Sequence, residues 1–201
     1  MPISINGTGT VTGISAGGLP DNSIITADIA NANVTPTKLS QPLTFMTAQP
    51  TTSGTVIDFT GIPSWAKLIT IGFSQVGTNV NSNLLIRVGN SSGIKSTGYT
   101  SCSNATDQAG GTGSNTSANG FVVYNDAITT NRYCGIMTLM LVDSGGSWTW
   151  VSSHTMRMRD LITICGGGDV NLTLNPLDTI RLTTSGGNTF NSGIMNVIYE
   201  G

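Results

Sequence analysis

Charge is what this chain has least of. Only 9% of its 201 residues are Asp, Glu, Lys or Arg, against roughly a quarter in an average globular protein. The 8 basic and 10 acidic residues leave a net charge of −2, so the footprint for nucleic acid or an anionic membrane surface is missing. Histidine occurs once, at His154, and glutamate once, at Glu200. Those scarcities remove the usual raw material of hydrolytic sites. No Gly-x-Ser-x-Gly surrounds a serine, and a Ser-His-Asp triad built on His154 with Ser152, Ser153, Asp143 or Asp160 has no oxyanion hole in sight. A carboxylate pair for glycan cleavage is equally unsupported, because Asp126 and Asp143 sit in turn contexts.

Cysteine is sparse too. Cys102, Cys134 and Cys165 are an odd number at wide spacing, which is neither a disulfide framework nor a zinc pattern. They read as buried or half-buried small hydrophobes. No His-x-His, Cys-x-x-Cys or Asp-x-Asp-x-Asp cluster occurs, so neither a metal nor any other cofactor is expected. The glycine-rich stretches GGTGSN and CGGGDV lack the Lys-Ser/Thr of a phosphate-binding loop and read as loops. The opening MPISINGTGT has no basic and no apolar region of a signal peptide. No apolar run approaches the length of a membrane span, so membrane insertion is not expected.

What the chain has is Ser, Thr, Asn and 26 glycines around short apolar runs. Such residues suit the turns and solvent faces of a β-rich protein. The composition shifts near residue 45, which divides the chain into an N-terminal segment, 1–44, and a domain, 45–201. Within the first lies IITADIANANVTPTKLS, whose second half echoes the first at an offset of ten. Ile24 matches Val34, Asp28 matches Lys38, and Ile29 matches Leu39. Capping by Asp21 or Ser23, and Thr35 before Pro36, predict a short helical turn in each half. Such turns are unstable alone. Ile24, Ile29, Val34 and Leu39 therefore need partners, and three copies of the chain around an axis would supply them, with Asp28 and Lys38 meeting between chains.

From residue 45 the pattern is strand after strand. LITIGF places Ile69, Ile71 and Phe73 on one face, and LLIRVG, FVVYN, YCGIMTLMLV, SWTWVSS, TMRMR, LITIC, VNLTL, TIRLTT and IMNVIYE follow. Turn residues separate them, as at Asp143-Ser144-Gly145-Gly146 and Cys165-Gly166-Gly167-Gly168. The expected fold is an antiparallel β-sandwich, jelly-roll-like, with a short trimerising stalk. The polar stretch 101–119 reads as a long surface loop, flanked by Tyr99 and Tyr124. Trp148 and Trp150 share a face if SWTWV is a strand, filling the core or presenting a platform for sugar rings. Trp65, after Ile62-Pro63, closes one end of the sandwich. Arg157 and Arg159 alternate with Met156 and Met158, which puts both arginines on one strand face, either as solvated strand charges or in contact with a neighbouring subunit or another protein.

Several stretches resemble a family. TVIDFTGIPSWAKLITIGF, IRVGNSSGIKSTGYTS, GFVVYN and the ending LTLNPLDTIRLTTSGGNTFNSGIMNVIYEG are similar to the C-terminal domain of bacteriophage tail-fibre and virion-fibre proteins. GGLPDNSIITADIANANVTPTKLS resembles the stalk segments that precede such domains. The resemblance implies a homotrimeric β-sandwich on a virion, made in the host cytoplasm and released by lysis, with no enzymatic activity attached. It also implies contact with other virion proteins through the N-terminal segment and with a host cell-surface glycan or protein through the domain. Recognition is expected in loops far from the stalk, with Tyr99, Asn104, Asp107, Asn115, Asn119 and Tyr124 as candidates. A capsid or tail decoration protein with a stabilising role is the alternative, favoured by the shortness of the chain. A surface glycan hydrolase is the reading the residues oppose most.

Overall fold

The computed structural model describes residues 24–31, 33–35, 38–124, 130–158 and 162–201. Two compact units divide between Ser40 and Gln41.

In the N-terminal unit the ten-residue echo is also an echo of backbone geometry. A 3-10 turn spans Thr26–Asp28, and the Asp28 amide donates to the Ile25 carbonyl at 2.9 Å. Ten residues on, the Lys38 amide donates to the Thr35 carbonyl at 2.8 Å. The Asp28 carboxylate accepts from the Ile25 amide at 3.0 Å, so the turn is capped from within. Asp21, Ser23 and Pro36 lie outside the described residues. Ile24, Ile25, Ile29, Val34 and Leu39 are all exposed, as expected of turns too short to bury their own apolar side chains.

The second unit is all strand and turn. In chain order it contains β1 (Thr44–Phe45), β2 (Gln49–Pro50), β3 (Val56–Thr60), β4 (Leu68–Thr78), β5 (Leu84–Asn90), β6 (Gly93–Ile94) and β7 (Tyr99–Asp107). Then come β8 (Thr112–Ser117), β9 (Phe121–Val122), β10 (Tyr133–Asp143), β11 (Thr149–Met158), β12 (Ile162–Asn171), β13 (Thr179–Thr184) and β14 (Phe190–Glu200). The larger sheet runs β1-β14-β4-β10-β11-β12-β7-β8, with β2 also on β14. The smaller runs β3-β13-β5-β6, with β9 also on β5. All pairings are antiparallel. The expected β-sandwich is therefore what the chain forms, with two unequal sheets.

Period-two alternation builds the core. Ile69, Ile71 and Phe73 of β4, Met137 and Leu139 of β10, and Trp150, Met156 and Met158 of β11 point inward from the large sheet. Leu84, Ile86 and Val88 of β5, with Ile180 and Leu182 of β13, meet them from the small one. On the outer surface of the small sheet Arg181 and Asp58 stand opposite each other on β13 and β3. They form a two-pronged ion pair, Nε to Oδ1 at 2.7 Å and Nη2 to Oδ2 at 2.6 Å, which pushes the Arg181 pKa up.

Three sequence expectations fail here for identifiable reasons. The stretch 101–119 is no loop: β7 and β8 form a hairpin turned by residues 108–111, at the edge of the large sheet. Its Ser, Thr and Asn residues lack the apolar alternation that marks a strand, because the inward side chains are the small Ser101, Ser103 and Ala105. The Gly166-Gly167-Gly168 run is not a turn either. It sits inside β12, continuous from Ile162 to Asn171. A Cβ at Gly166 would press on the Cys102 carbonyl oxygen of β7, and one at Gly167 would lie 2.5 Å from the Ser152 carbonyl oxygen of β11. Glycine is there because neighbouring backbones approach closely. Finally, Cys102 and Cys165 are exposed and Cys134 is half-buried. Cys102 and Cys165 occupy outward positions on β7 and β12 that strand alternation leaves to solvent.

Candidate functional site

The register fixes which loops share an end of the sandwich. Thr44 pairs with Tyr199, and Leu68 pairs with both Glu200 and Met140, so the chain enters and leaves the unit at one end. Trp65 closes that end as expected, its ring edge-on to Tyr199 with centroids 5.5 Å apart. The opposite end collects residues 79–83 after β4, the 108–111 turn, and 185–189 between β13 and β14.

At that far end 79–83 and 185–189 are woven together without a charged residue. The Ser82 and Ser185 hydroxyls are 3.1 Å apart, and the Gly186 amide donates to Ser82 Oγ at 3.2 Å. Asn188 Nδ2 donates to the Asn81 carbonyl at 3.5 Å, and the Thr189 amide to Asn79 Oδ1 at 3.0 Å. Asn79 returns its own amide to the Thr189 carbonyl at 2.9 Å. Val80 of the first segment is exposed. A neutral surface of hydroxyls and carboxamides, fixed before any ligand arrives, is suited to polyhydroxylated partners. The sequence reading singled out neither segment, because each carries mostly short polar residues with no local signal of the other.

The six candidate contact residues do not come together. Tyr99 is only 4% exposed and lies at the end where the chain enters. Its hydroxyl donates to the Lys95 carbonyl at 3.0 Å and accepts from the Val88 amide at 2.9 Å. Burial pushes its pKa up to about 12. Tyr99 is a core anchor packed edge-on to Phe121 at 5.1 Å. Asn104 is exposed on the outer face of β7, whereas Asn115 of β8 pairs with Ser103 and turns to the inner side. Asp107 accepts from the Ala109 and Gly111 amides at 2.9 and 2.7 Å and so shapes the hairpin turn. Asn119 is exposed at the other end, where its carbonyl accepts from Arg87 Nε at 2.6 Å. Tyr124 is half-buried beside Gly113. Two of the six reach the far end: Tyr124, whose carbonyl accepts from the Leu84 amide at 3.3 Å, and Asp107 with the turn it holds, which is about 19 Å from 79–83 across four strand spacings.

The paired tryptophans both pack on the core, to different depths. Trp150 is core, while Trp148 precedes β11 with φ of 46° and lies half-buried under Lys67 Nζ, 5.5 Å from its ring centroid. Neither offers an open platform. Arg157 is exposed on β11, and Arg159 lies outside the described residues, as do Asp126 and Asp160.

The one histidine is sealed inside. His154 is 5% exposed, and Nε2 lies 3.4 Å from Ser103 Oγ, a serine the sequence reading did not consider. The Ser103 hydroxyl donates to the Val123 carbonyl, so its proton is already committed. His154 Nδ1 is buried without a hydrogen-bond partner. Burial drives the His154 pKa down to about 4, with the Val123 carbonyl drawing it partly back. This pair ties β11 to β7 and to Val123 just after β9 and has no access to a substrate. Asp143 accepts from the Gly145 amide at 2.8 Å, which is turn chemistry. Among the described residues no group of three His, Cys, Asp or Glu side chains is placed to hold a metal ion.

A groove of about 700 Å³ crosses β12, β7 and β8, lined by Thr100, Cys102, Thr116, Gly167 and Asp169 among others. It exists because the glycines of β12 project no side chains. No family model, curated protein or solved structure matches the chain.

Proposed function

We propose that this chain is a bacteriophage virion protein of the tail-fibre kind, homotrimeric through its N-terminal segment, which presents the β-sandwich to a host surface glycan. One observation carries the reading: the near-repeat closes the same turn twice at a ten-residue offset while leaving Ile24, Ile29, Val34 and Leu39 exposed. A segment that folds regularly yet cannot cover its own aliphatic side chains is completed by copies of itself. It precedes a unit whose far end carries neutral, interlocked 79–83 and 185–189. Those groups fit a hydroxyl-rich ligand, and three weakly binding copies would act together.

Two measurements test this. Sedimentation of the purified chain is expected to give a trimer, and a monomer at all micromolar concentrations would overturn the assembly. Electron micrographs of virions labelled with an antibody to this chain are expected to show label at fibre tips. Label spread over the head would favour a decoration protein instead.

A further inference from the structure

The outer face of the large sheet is divided in two. On β11, β12, β7 and β8 it shows Ser153, Thr155, Thr163, Asn104, Ser114 and Thr116, the composition of a solvated surface. On β1, β14, β4 and β10 it shows Phe45, Ile194, Ile136 and Met140, exposed by 65%, 44%, 54% and 49%, beside half-buried Ile198 and Leu68. One continuous sheet under one solvent would not sort its side chains this way unless half of it were covered.

We infer that this apolar half is where a second copy of the same chain packs, each copy turning the face towards a shared axis. Three features select a copy over a different partner. The first is size: the four exposed side chains offer on the order of 400 Å² of apolar surface, the size of the largest and often functional patch on a typical monomer. Thr70, Thr138, Asn196 and Ile198 around them bring it towards the roughly 800 Å² per partner of a specific complex. The second is charge. Asp143 of β10 and Glu200 of β14, both at the margin where the chain enters, are the charged side chains of this half, and the rest of it selects neither a basic nor an acidic partner. Its polar groups are hydroxyls and a carboxamide, which both donate and accept and can be satisfied by their own kind.

The third feature is shape. Ile136 of β10, Gly72 of β4 and Asn196 of β14 lie in one row across the sheet. A Cβ built on Gly72 would meet nothing within 4 Å, so a dent stands directly beside the Ile136 knob. A surface bearing a knob next to a matching hole fits another copy of itself. In a closed ring, Ile136 of each copy seats at Gly72 of the next. For the number of copies this rests on the trimer proposed above, but it does not need the virion.

The test is sedimentation equilibrium of the full chain carrying Gly72→Phe, which fills the dent where the fold has space and φ is ordinary. Self-association is expected to weaken about tenfold or more, with circular dichroism and melting temperature unchanged. Ile136→Asp with Met140→Asp is expected to do the same, and Thr155→Asp with Thr163→Asp on the polar half to do nothing. If folded Gly72→Phe protein associates as tightly as wild type, the inference falls. Should the aspartate pair fail to fold, Ile136→Cys supplies the second reading: its thiol is expected to be shielded in the assembly and reactive on dilution to monomer, and equal reactivity in both would overturn the proposal. Ile29→Asp with Leu39→Asp separates this from the stalk. If that variant dissociates the protein while the face variants leave it intact, the stalk-borne trimer stands and the face interface does not.

Discussion

His154 and Ser103 meet across a strand to which neither belongs. His154 of β11 and Ser103 of β7 both pair with Gly166 of β12, and the imidazole reaches the hydroxyl over the bare glycine. A Cβ at Gly166 would lie 2.6 Å from His154 Cε1 and 2.8 Å from Ser103 Cα.

Gly166→Ala is therefore expected to lower stability by about 2 kcal/mol or more, the scale of forcing a methyl into a filled interior. Urea unfolding measures it. A turn glycine with ordinary φ would lose almost nothing, so an unchanged midpoint would contradict the continuous β12.

The same ring gives a pH dependence. His154 titrates near 4 in the folded chain and at about 6.5 when unfolded. As pH falls below 6.5 the unfolded chain takes up the proton first, so stability is full above that value and declines towards pH 4. The shift corresponds to something on the order of 3 kcal/mol. The chain has no second histidine to confuse the reading. Urea midpoints between pH 6.5 and 5 are expected to fall more steeply for the wild type than for His154→Leu.

How much of this was legible in the sequence depends on which face a residue serves. Where inward positions are large, as at Ile69, Ile71 and Phe73, alternation announces the strand. Where they are Ser101, Ser103 and Gly166, the strands pack small side chains closely and look like loops. Tyr99 was misread for a related reason: burial depends on partners distant in sequence, such as Phe121. The interlocking of 79–83 with 185–189 spans about a hundred residues and leaves no local pattern.

Arg181 sits between Asp58 on β3 and Arg87 on β5 in one row of the small sheet. Asp58→Asn would remove the ion pair and leave two arginines side by side, so the loss should exceed that of an ordinary surface pair, at about 1–2 kcal/mol. Raising salt should shrink the difference from wild type, because screening weakens both the lost attraction and the exposed repulsion.

The three thiols should differ in reactivity. Cys102 and Cys165 are exposed, while Cys134 is half-buried and its sulfur accepts from the Gln75 amide at 3.3 Å and from Gln75 Nε2 at 3.2 Å. An aromatic disulfide reagent on the folded protein is expected to titrate two thiols fast and the third roughly tenfold more slowly, in line with its lower accessibility. Three equal rates would mean that the β4–β10 contact at Gln75 opens readily.

Host contact can be assigned by placing a bulky charge on one far-end segment at a time. Shortening 106–117 would be the wrong experiment, because it would delete β8 and uncover the edge of β7. Val80→Arg is better: the side chain is exposed, and the hydrogen bond at this residue uses only its carbonyl, which accepts from Thr78 Oγ1 at 2.8 Å. The fold should be untouched, while an arginine would crowd the neutral surface made by Asn81, Ser82 and Ser185. A tenfold loss per site is about 1.4 kcal/mol, and with three copies acting together the loss in adsorption should be larger. Gln108→Arg, on the hairpin turn about 19 Å away, is expected to adsorb normally. The reverse result would move the contact to the turn held by Asp107, and full adsorption by both variants would leave the host-binding proposal without a site at this end of the sandwich.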